Sequence, residues 1–142
     1  MPALEYLVLA DYVRQDAGMT HIMGAGLDTI NVPVGQLPIG LPVGLVARIS
    51  FNSRDDVGAD HELKIVFHGP PGDLLTVTHR FKTPPPPPGL PDHWPTAMSI
   101  ALRIPLPVPS HGNYQLRATL DDDPQMSKLL DVRAIEPPQP GA

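Results

Sequence analysis

Clustered aspartates are the first residues of this sequence whose type and spacing could do chemistry. Hard cations such as Ca²⁺ bind grouped carboxylates, and sandwich domains of the C2 type hold calcium on loops at one end of the fold. Two acidic segments therefore predict a calcium site if their loops meet. The alternative is a turn ahead of Pro124, because Asp favours turns and the run lacks the spacing and final Glu of an EF-hand. The aspartates concerned are Asp55, Asp56, Asp60, Asp121, Asp122 and Asp123.

Six histidines suggest a second metal hypothesis, with zinc as the ion. None of them has HxH or HExxH spacing. His68 and His79 flank Gly69-Pro70-Pro71-Gly72-Asp73, a segment that predicts a hairpin turn, and they fall at comparable heights on its two strands. Such a cross-strand pair could bind zinc. The alternative is a set of isolated structural histidines.

Motifs of hydrolases and nucleotide-binding enzymes are missing from the sequence. The serines lie outside any Gly-x-Ser-x-Gly elbow, and the adjacent pair Ser110-His111 is not a triad. Gly24-Ala25-Gly26 lacks the third glycine and the helix of a phosphate-binding loop. It predicts a bulge or kink in a long strand, or close packing of a neighbouring backbone. We therefore expect a protein without enzymatic activity and without a cofactor.

The elements that position these residues are β-strands. Tyr114, Leu116, Ala118 and Leu120 alternate with polar residues, and a period of two is typical of half-buried strands. The same alternation recurs upstream, and the last third of the chain predicts three consecutive antiparallel strands. The predicted fold is all-β, a single antiparallel sandwich of about eight strands with an immunoglobulin-like topology. A C2-type or jelly-roll sandwich is the alternative. The strand segments are 4–12, 20–32, 45–51, 62–68, 74–81, 97–104, 112–120 and 130–134.

Tyr114 stands at the head of the penultimate strand, just after Gly112. In immunoglobulin-like sandwiches a tyrosine in this place bonds back to the upstream backbone. We therefore expect a structural role for Tyr114 rather than a catalytic one.

The most distinctive local feature is a run of five prolines among the twenty in the chain. Consecutive prolines favour an extended polyproline II rod, which aromatic-lined grooves of partner proteins recognise. The run is therefore a predicted partner-binding segment. The alternative is a stiff connection between two sheets. The prolines are Pro84, Pro85, Pro86, Pro87 and Pro88.

A second predicted partner site is the segment 36–43, in which Leu37, Ile39 and Leu41 stand between Pro and Gly residues. We interpret it as an apolar loop, and contiguous exposed apolar surface tends to mark a binding site. The alternative is that the segment folds over one end of the core and closes it.

Composition excludes several classes of function. The net charge is −5 and the ten Lys and Arg residues are scattered, which argues against a nucleic-acid partner. Cysteine is absent, so disulfide scaffolds and thiolate zinc sites are excluded. The opening residues lack the basic region of a signal peptide, and their apolar run is too short to cross a membrane. We expect a cytoplasmic protein with one domain over residues 1–135 and a disordered proline-rich tail over 136–142.

The opening segment resembles a family of small uncharacterised bacterial proteins that is common in actinobacteria. In that family an Ala-Asp-Tyr strand end precedes a Gly-Ala-Gly-Trp-Asp-type segment. Here Ala10-Asp11-Tyr12 is followed by Gly24-Ala25-Gly26-Leu27-Asp28, with Leu27 in place of the expected Trp. The resemblance implies a single β-sandwich domain and carries over no activity.

These observations predict a non-enzymatic interaction or scaffold module that binds another protein or a second copy of itself. The alternative is a sandwich that binds an ion or a small ligand, with calcium at the loop aspartates.

Overall fold

A computed structural model describes residues 2–16, 19–52, 57–91 and 95–135. Within these ranges the chain forms ten strands and no helix, so no helix there could span a membrane. The strands are β1 (Ala3–Ala10), β2 (Tyr12–Asp16), β3 (Met19–Met23), β4 (Thr29–Pro33), β5 (Ile39–Phe51), β6 (Asp60–Gly69), β7 (Gly72–Lys82), β8 (Thr96–Val108), β9 (Gly112–Leu120) and β10 (Asp123–Ile135). The predicted tail, 136–142, lies outside the described residues.

The strands form three sheets rather than the two of the predicted sandwich. A five-stranded sheet has the order β4-β10-β9-β6-β7, a three-stranded sheet has the order β1-β5-β8, and β2 and β3 form a hairpin. Consecutive strands β8 and β9 thus belong to different sheets. The pairing is antiparallel except between β4 and β10, which are parallel. The predictions of about eight strands and of purely antiparallel pairing were therefore wrong.

The main reason for this difference is the segment 20–32, which was predicted as one long strand. The chain leaves the strand conformation at Gly24, and two short strands, β3 and β4, join different sheets. Gly24 has a φ of +67° and accepts a backbone hydrogen bond from Asp11. The glycine segment therefore ends a strand, which is a sharper break than the predicted kink.

The main core lies between the two larger sheets. Alternate residues of β6 and β9, such as Leu63, Ile65 and Leu116, face Leu45 and Ile49 of β5 and are fully buried. The alternation predicted for these strands is thus confirmed. It is what allows each strand to present one apolar face to the interior.

The β2–β3 hairpin covers the outer face of the three-stranded sheet and makes a second small core. Val13 and Ile22 pack there against Val46 and Ala101. Because β5 is covered on both faces, its residues 43–47 are all buried, and this segment does not alternate. Gly44 leaves room for the hairpin, since a Cβ placed there would lie 2.8 Å from the backbone nitrogen of Val13.

Tyr114 makes the predicted corner contact. Its hydroxyl donates to the Ser110 carbonyl at 2.5 Å and accepts from the Ser110 N–H at 3.3 Å. The buried ring stacks on Phe67 with 5.1 Å between centroids. The structural role expected for this tyrosine is therefore confirmed.

Candidate functional site

Asp60, the described member of the first acidic segment, lies at the same end of the fold as Asp121, as the calcium hypothesis requires. The Asp121 N–H donates to the Glu62 carbonyl, and the Glu62 N–H donates to Asp121 Oδ1, so the β9–β10 turn lies against the start of β6. Asp60 lies 3.7 Å from the Lys82 ammonium. Asp55 and Asp56 lie outside the described residues. Among the residues that are described, no group of three or more His, Asp and Glu side chains could hold a metal ion.

The aspartate run has a structural explanation. Asp121 and Asp122 are the two central residues of the β9–β10 hairpin, with Leu120 paired to Asp123, and their φ angles are +51° and +65°. Two-residue hairpin loops often need positive φ at both positions, and Asp tolerates that conformation. The turn offered as the alternative to calcium is thus confirmed.

Asp121 also belongs to a three-residue cluster that the sequence analysis missed. His61 Nδ1 lies 2.6 Å from Asp121 Oδ2, and His61 Nε2 lies 2.7 Å from Thr83 Oγ1. This hydroxyl–imidazole–carboxylate order is the one that activates nucleophiles in hydrolases.

Burial decides what this cluster can do. Thr83 is only 4% exposed, and its backbone is bonded on both sides, to Gly58 and to Ala59. Thr83 is thus bonded within the fold through both its backbone and its hydroxyl. The cluster instead links the start of β6, the residue after β7 and the β9–β10 turn, which favours a structural role.

The carboxyl of Asp121 makes the free energy of unfolding depend on pH in the acid range. Burial raises the pKa of this carboxyl, but hydrogen bonds from His61 and the Glu62 N–H, with the electrostatic attraction of His61, hold the pKa below its ordinary value of 3.8. A carboxyl with a lower pKa in the folded chain stabilises the fold above its ordinary pKa, and this contribution is lost as the pH falls through the folded-state value.

We therefore expect Asp121→Asn to flatten the acid limb of the stability profile. Asn tolerates positive φ and keeps an oxygen for the Glu62 N–H, so the hairpin is retained. Urea unfolding measured from neutral pH down to about pH 3 should show a smaller loss of unfolding free energy in the variant than in the wild type. Asp122→Asn, in the same turn but outside these contacts, is the matched control. Equal acid dependence in all three proteins would contradict the prediction.

The predicted zinc pair is not formed. His68 lies opposite Asp73 in the β6–β7 register and bonds it at 2.8 Å, whereas His79 lies opposite Leu63. His79 lies six positions along β7 from Asp73, the partner of His68, which is about 20 Å along a strand. A register shift between Phe67 and His68 also displaces the strand ends that the prediction had aligned.

The apolar segment predicted as a loop is mostly strand. β5 begins at Ile39, which pairs with Val108, and Leu41 pairs with Leu106. Together with Leu37 these side chains are partly buried against the main core, so the alternative, closure of one end of the core, is confirmed. A shallow apolar groove of about 340 Å³ remains beside them. This end groove is lined by Pro38, Ile39, Gly40, Leu74, Pro107, Val108 and Pro109.

The proline run connects β7 to β8 and so carries the chain from the five-stranded to the three-stranded sheet. Pro84 is partly buried, while Pro85 to Pro88 are exposed. Thr83, immediately before the run, is held by the bonds described above. The stiff connection offered as the alternative is thus present, and its prolines remain accessible.

Strand edges show where a protein partner could pair. The β8 edge carries Pro105 and Pro107, which have no N–H to offer, and β4 is short and ends at Pro33. The open side of β1 is bonded to Leu27 and Gln125. By contrast, β7 has eleven residues, contains no proline and pairs only with β6. Residues 96–104 of β8 also lack proline and pair only with β5, but there the side chain of Gln15 donates to the Ser99 carbonyl. Among the described edge strands of the two larger sheets, β7 is the long one without proline along its whole length.

Comparison with known proteins identifies the family to which this chain belongs. A search of curated proteins found no significant match. Among solved structures, an immunoglobulin-like protein from Pseudomonas aeruginosa is 18% identical over 94% of this chain and 97% of that one, with a TM-score of 0.43, values too low to support an argument about function. A family profile, described as a family of unknown function, matches residues 5–133. The chain therefore belongs to DUF6941, in agreement with the expected uncharacterised family.

Proposed function

We propose that this chain is a non-enzymatic interaction module that pairs with a second copy of itself along β7. The observation that carries the proposal is the open edge of this strand. An unpaired edge presents a row of free N–H and C=O groups, and an added strand satisfies them. Other edges are shortened, proline-bearing or covered, so strand addition is directed to one place. The enclosed hydroxyl of Thr83 supports a function other than catalysis.

Two identical edges can pair antiparallel about a two-fold axis, the commonest symmetry of homodimers. Directly opposed side chains of an antiparallel pair lie on the same face of the sheet. The two-fold axis therefore passes between the two copies of one residue, which face each other. With Val77 on the axis, Thr76 of one copy lies opposite Thr78 of the other, and His79 lies opposite Leu75. Leu74 is the extra residue in the β6–β7 register, so the regular ladder ends there, before the positions that would face Arg80 and Lys82. No charged side chain of β7 then faces a like charge, which would destabilise the pair.

The same arrangement gives both predicted partner-binding surfaces a role. β7 begins beside the end groove, whose wall includes Leu74, and leads at its other end into Pro84. Antiparallel pairing therefore brings the exposed prolines of one copy towards the end groove of the other. Prolines also end the pairing there, because they lack the N–H that a ladder needs.

The test is the oligomeric state of charge variants on the exposed face of β7. Thr76 and Thr78 are exposed, and each lies opposite the other residue across the proposed axis. Thr76→Lys with Thr78→Lys places ammonium groups face to face twice in each dimer. We expect a dissociation constant raised by about tenfold, measured by sedimentation equilibrium.

A charge reversal tests the register. Thr76→Asp with Thr78→Lys places opposite charges together in the proposed dimer, and we expect it to restore or tighten association. Asn31→Lys with Ser127→Lys adds the same charge on exposed residues of β4 and β10 and should leave the dimer unchanged. A wild-type chain that stays monomeric at every concentration would overturn the proposal, and so would a dimer insensitive to the β7 variants.

A further inference from the structure

A separate cavity lies between the start of β2 and the paired strands β5 and β8. It has a volume of about 500 Å³, within the range of small-molecule sites. Its lining combines one cationic, one anionic and several apolar side chains. The lining residues are Asp11, Tyr12, Pro42, Val43, Arg103, Ile104 and Pro105.

Arg103 is the residue that gives this cavity a binding chemistry. Its guanidinium carbon lies 4.0 Å from the centroid of the Tyr12 ring, and its Nε donates to the Val13 carbonyl at 3.3 Å. Both contacts fix the side chain before any ligand arrives. Among the described residues, no ion pair or hydrogen bond engages the terminal nitrogens. A guanidinium held in this way can donate two parallel hydrogen bonds to a carboxylate.

The remaining lining restricts the class of ligand. Pro42 and Pro105, which are exposed, offer apolar surface beside the guanidinium, which suits a compact aliphatic body. Asp11 adds a negative charge, so the formal charge of the lining is zero. Asp11 repels every anion, but a monocarboxylate can bond Arg103 at its one charged end and turn its uncharged body towards Asp11, whereas a dianion such as phosphate brings more charge near Asp11 and is repelled more strongly.

We propose that this cavity binds a small monocarboxylate with a branched aliphatic body, with Arg103 as the carboxylate-binding residue. The site is on the outer face of the three-stranded sheet, away from β7. Its occupation and the β7 pairing are therefore independent, and each is tested without the other.

The experiment titrates the full chain with isovalerate and follows the Arg103 Nε–H and Tyr12 ring resonances by NMR. Isovaleramide, which has the same shape without the charge, and inorganic phosphate are the comparison probes. We expect saturable shifts of both resonances with isovalerate only. Arg103→Gln should weaken the dissociation constant by at least about tenfold, and Arg103→Lys by less. Arg117→Gln, an exposed arginine on β9, should leave it unchanged.

Substitution of Arg103 could disturb the β2–β3 hairpin, because Arg103 contacts Tyr12 and Val13. A second variant tests the proposal without changing these contacts. Asp11 is exposed, and Asp11→Asn removes the repulsion without removing Arg103. We expect this variant to bind isovalerate several-fold more tightly and to admit phosphate. Equal binding of isovaleramide and isovalerate would overturn the proposal. Absence of saturable shifts, or an unchanged affinity in Asp11→Asn, would do the same.

Discussion

Replacing Gly69 with alanine is expected to destabilise the domain by about 1–3 kcal/mol, the usual cost of overpacking a core. A Cβ at this position would lie 2.5 Å from Tyr114 Cε1, 2.7 Å from Tyr114 Cδ1 and 3.0 Å from Leu74 Cδ1. The tyrosine cannot easily move away, because its ring stacks on Phe67 and its hydroxyl is held by Ser110. A single methyl group at the β6–β7 turn therefore strains the corner that begins β9.

Urea unfolding of Gly69→Ala measures this cost, with Gly40→Ala as the control. A Cβ at Gly40 meets no atom within 4 Å, so the control should differ little from the wild type. In a double-mutant cycle, Tyr114→Val should remove most of the Gly69→Ala penalty, because the clashing ring is gone. If Gly69→Ala proved as stable as Gly40→Ala, the close contact between Gly69 and Tyr114 would be refuted.

Gly44→Ala is expected to detach the β2–β3 hairpin from the three-stranded sheet. A Cβ at Gly44 would lie 2.7 Å and 2.9 Å from the two Val13 methyl carbons and 2.8 Å from its backbone nitrogen. Side-chain rotation can relieve the first two contacts but not the third. The backbone of β2 must therefore shift, and the packing of Val13 and Ile22 on Val46 is weakened.

We expect a loss of about 1–3 kcal/mol in unfolding free energy and faster amide hydrogen exchange over residues 12–16 and 19–23. Val13→Ala should restore little of this loss, because the backbone contact remains. The variant should also weaken isovalerate binding, since Tyr12 and the Val13 carbonyl orient Arg103. Normal exchange protection of the hairpin in Gly44→Ala would show that β2 does not lie as close to Gly44 as described. Gly40→Ala, in the same strand, again serves as the control.

Part of this fold could be predicted from short-range sequence patterns. Strand alternation identified β6, β7 and β9, and turn-forming residues identified the hairpins at Gly69–Gly72 and at Asp121–Asp122. These features depend on neighbouring residues alone. β2 escaped prediction as a separate strand because it is short and only Val13 points inwards from it, too little to establish a period.

The candidate sites were harder to predict, because they depend on sheet order. His61 is 60 positions from Asp121 and 22 positions from Thr83 in the sequence, and only the register of β6 with β7 and β9 brings them together. Arg103 reaches Val13 across 90 positions. The open edge of β7 had only a weak signal: β7 contains no proline, but neither do β1, β6 and β9, so sheet order is needed to identify the edge.

The parallel pair of β4 with β10 has a consequence for how the chain reaches this state. β10 lies between β4 and β9, and it also supplies Gln125 to the Leu4 N–H, across 121 positions. Segments made early on the ribosome must therefore wait for one of the last strands before their hydrogen bonds can form. Such high contact order slows folding. Completion of the five-stranded sheet therefore waits for the synthesis of β10, and until then β4 has no partner strand in that sheet.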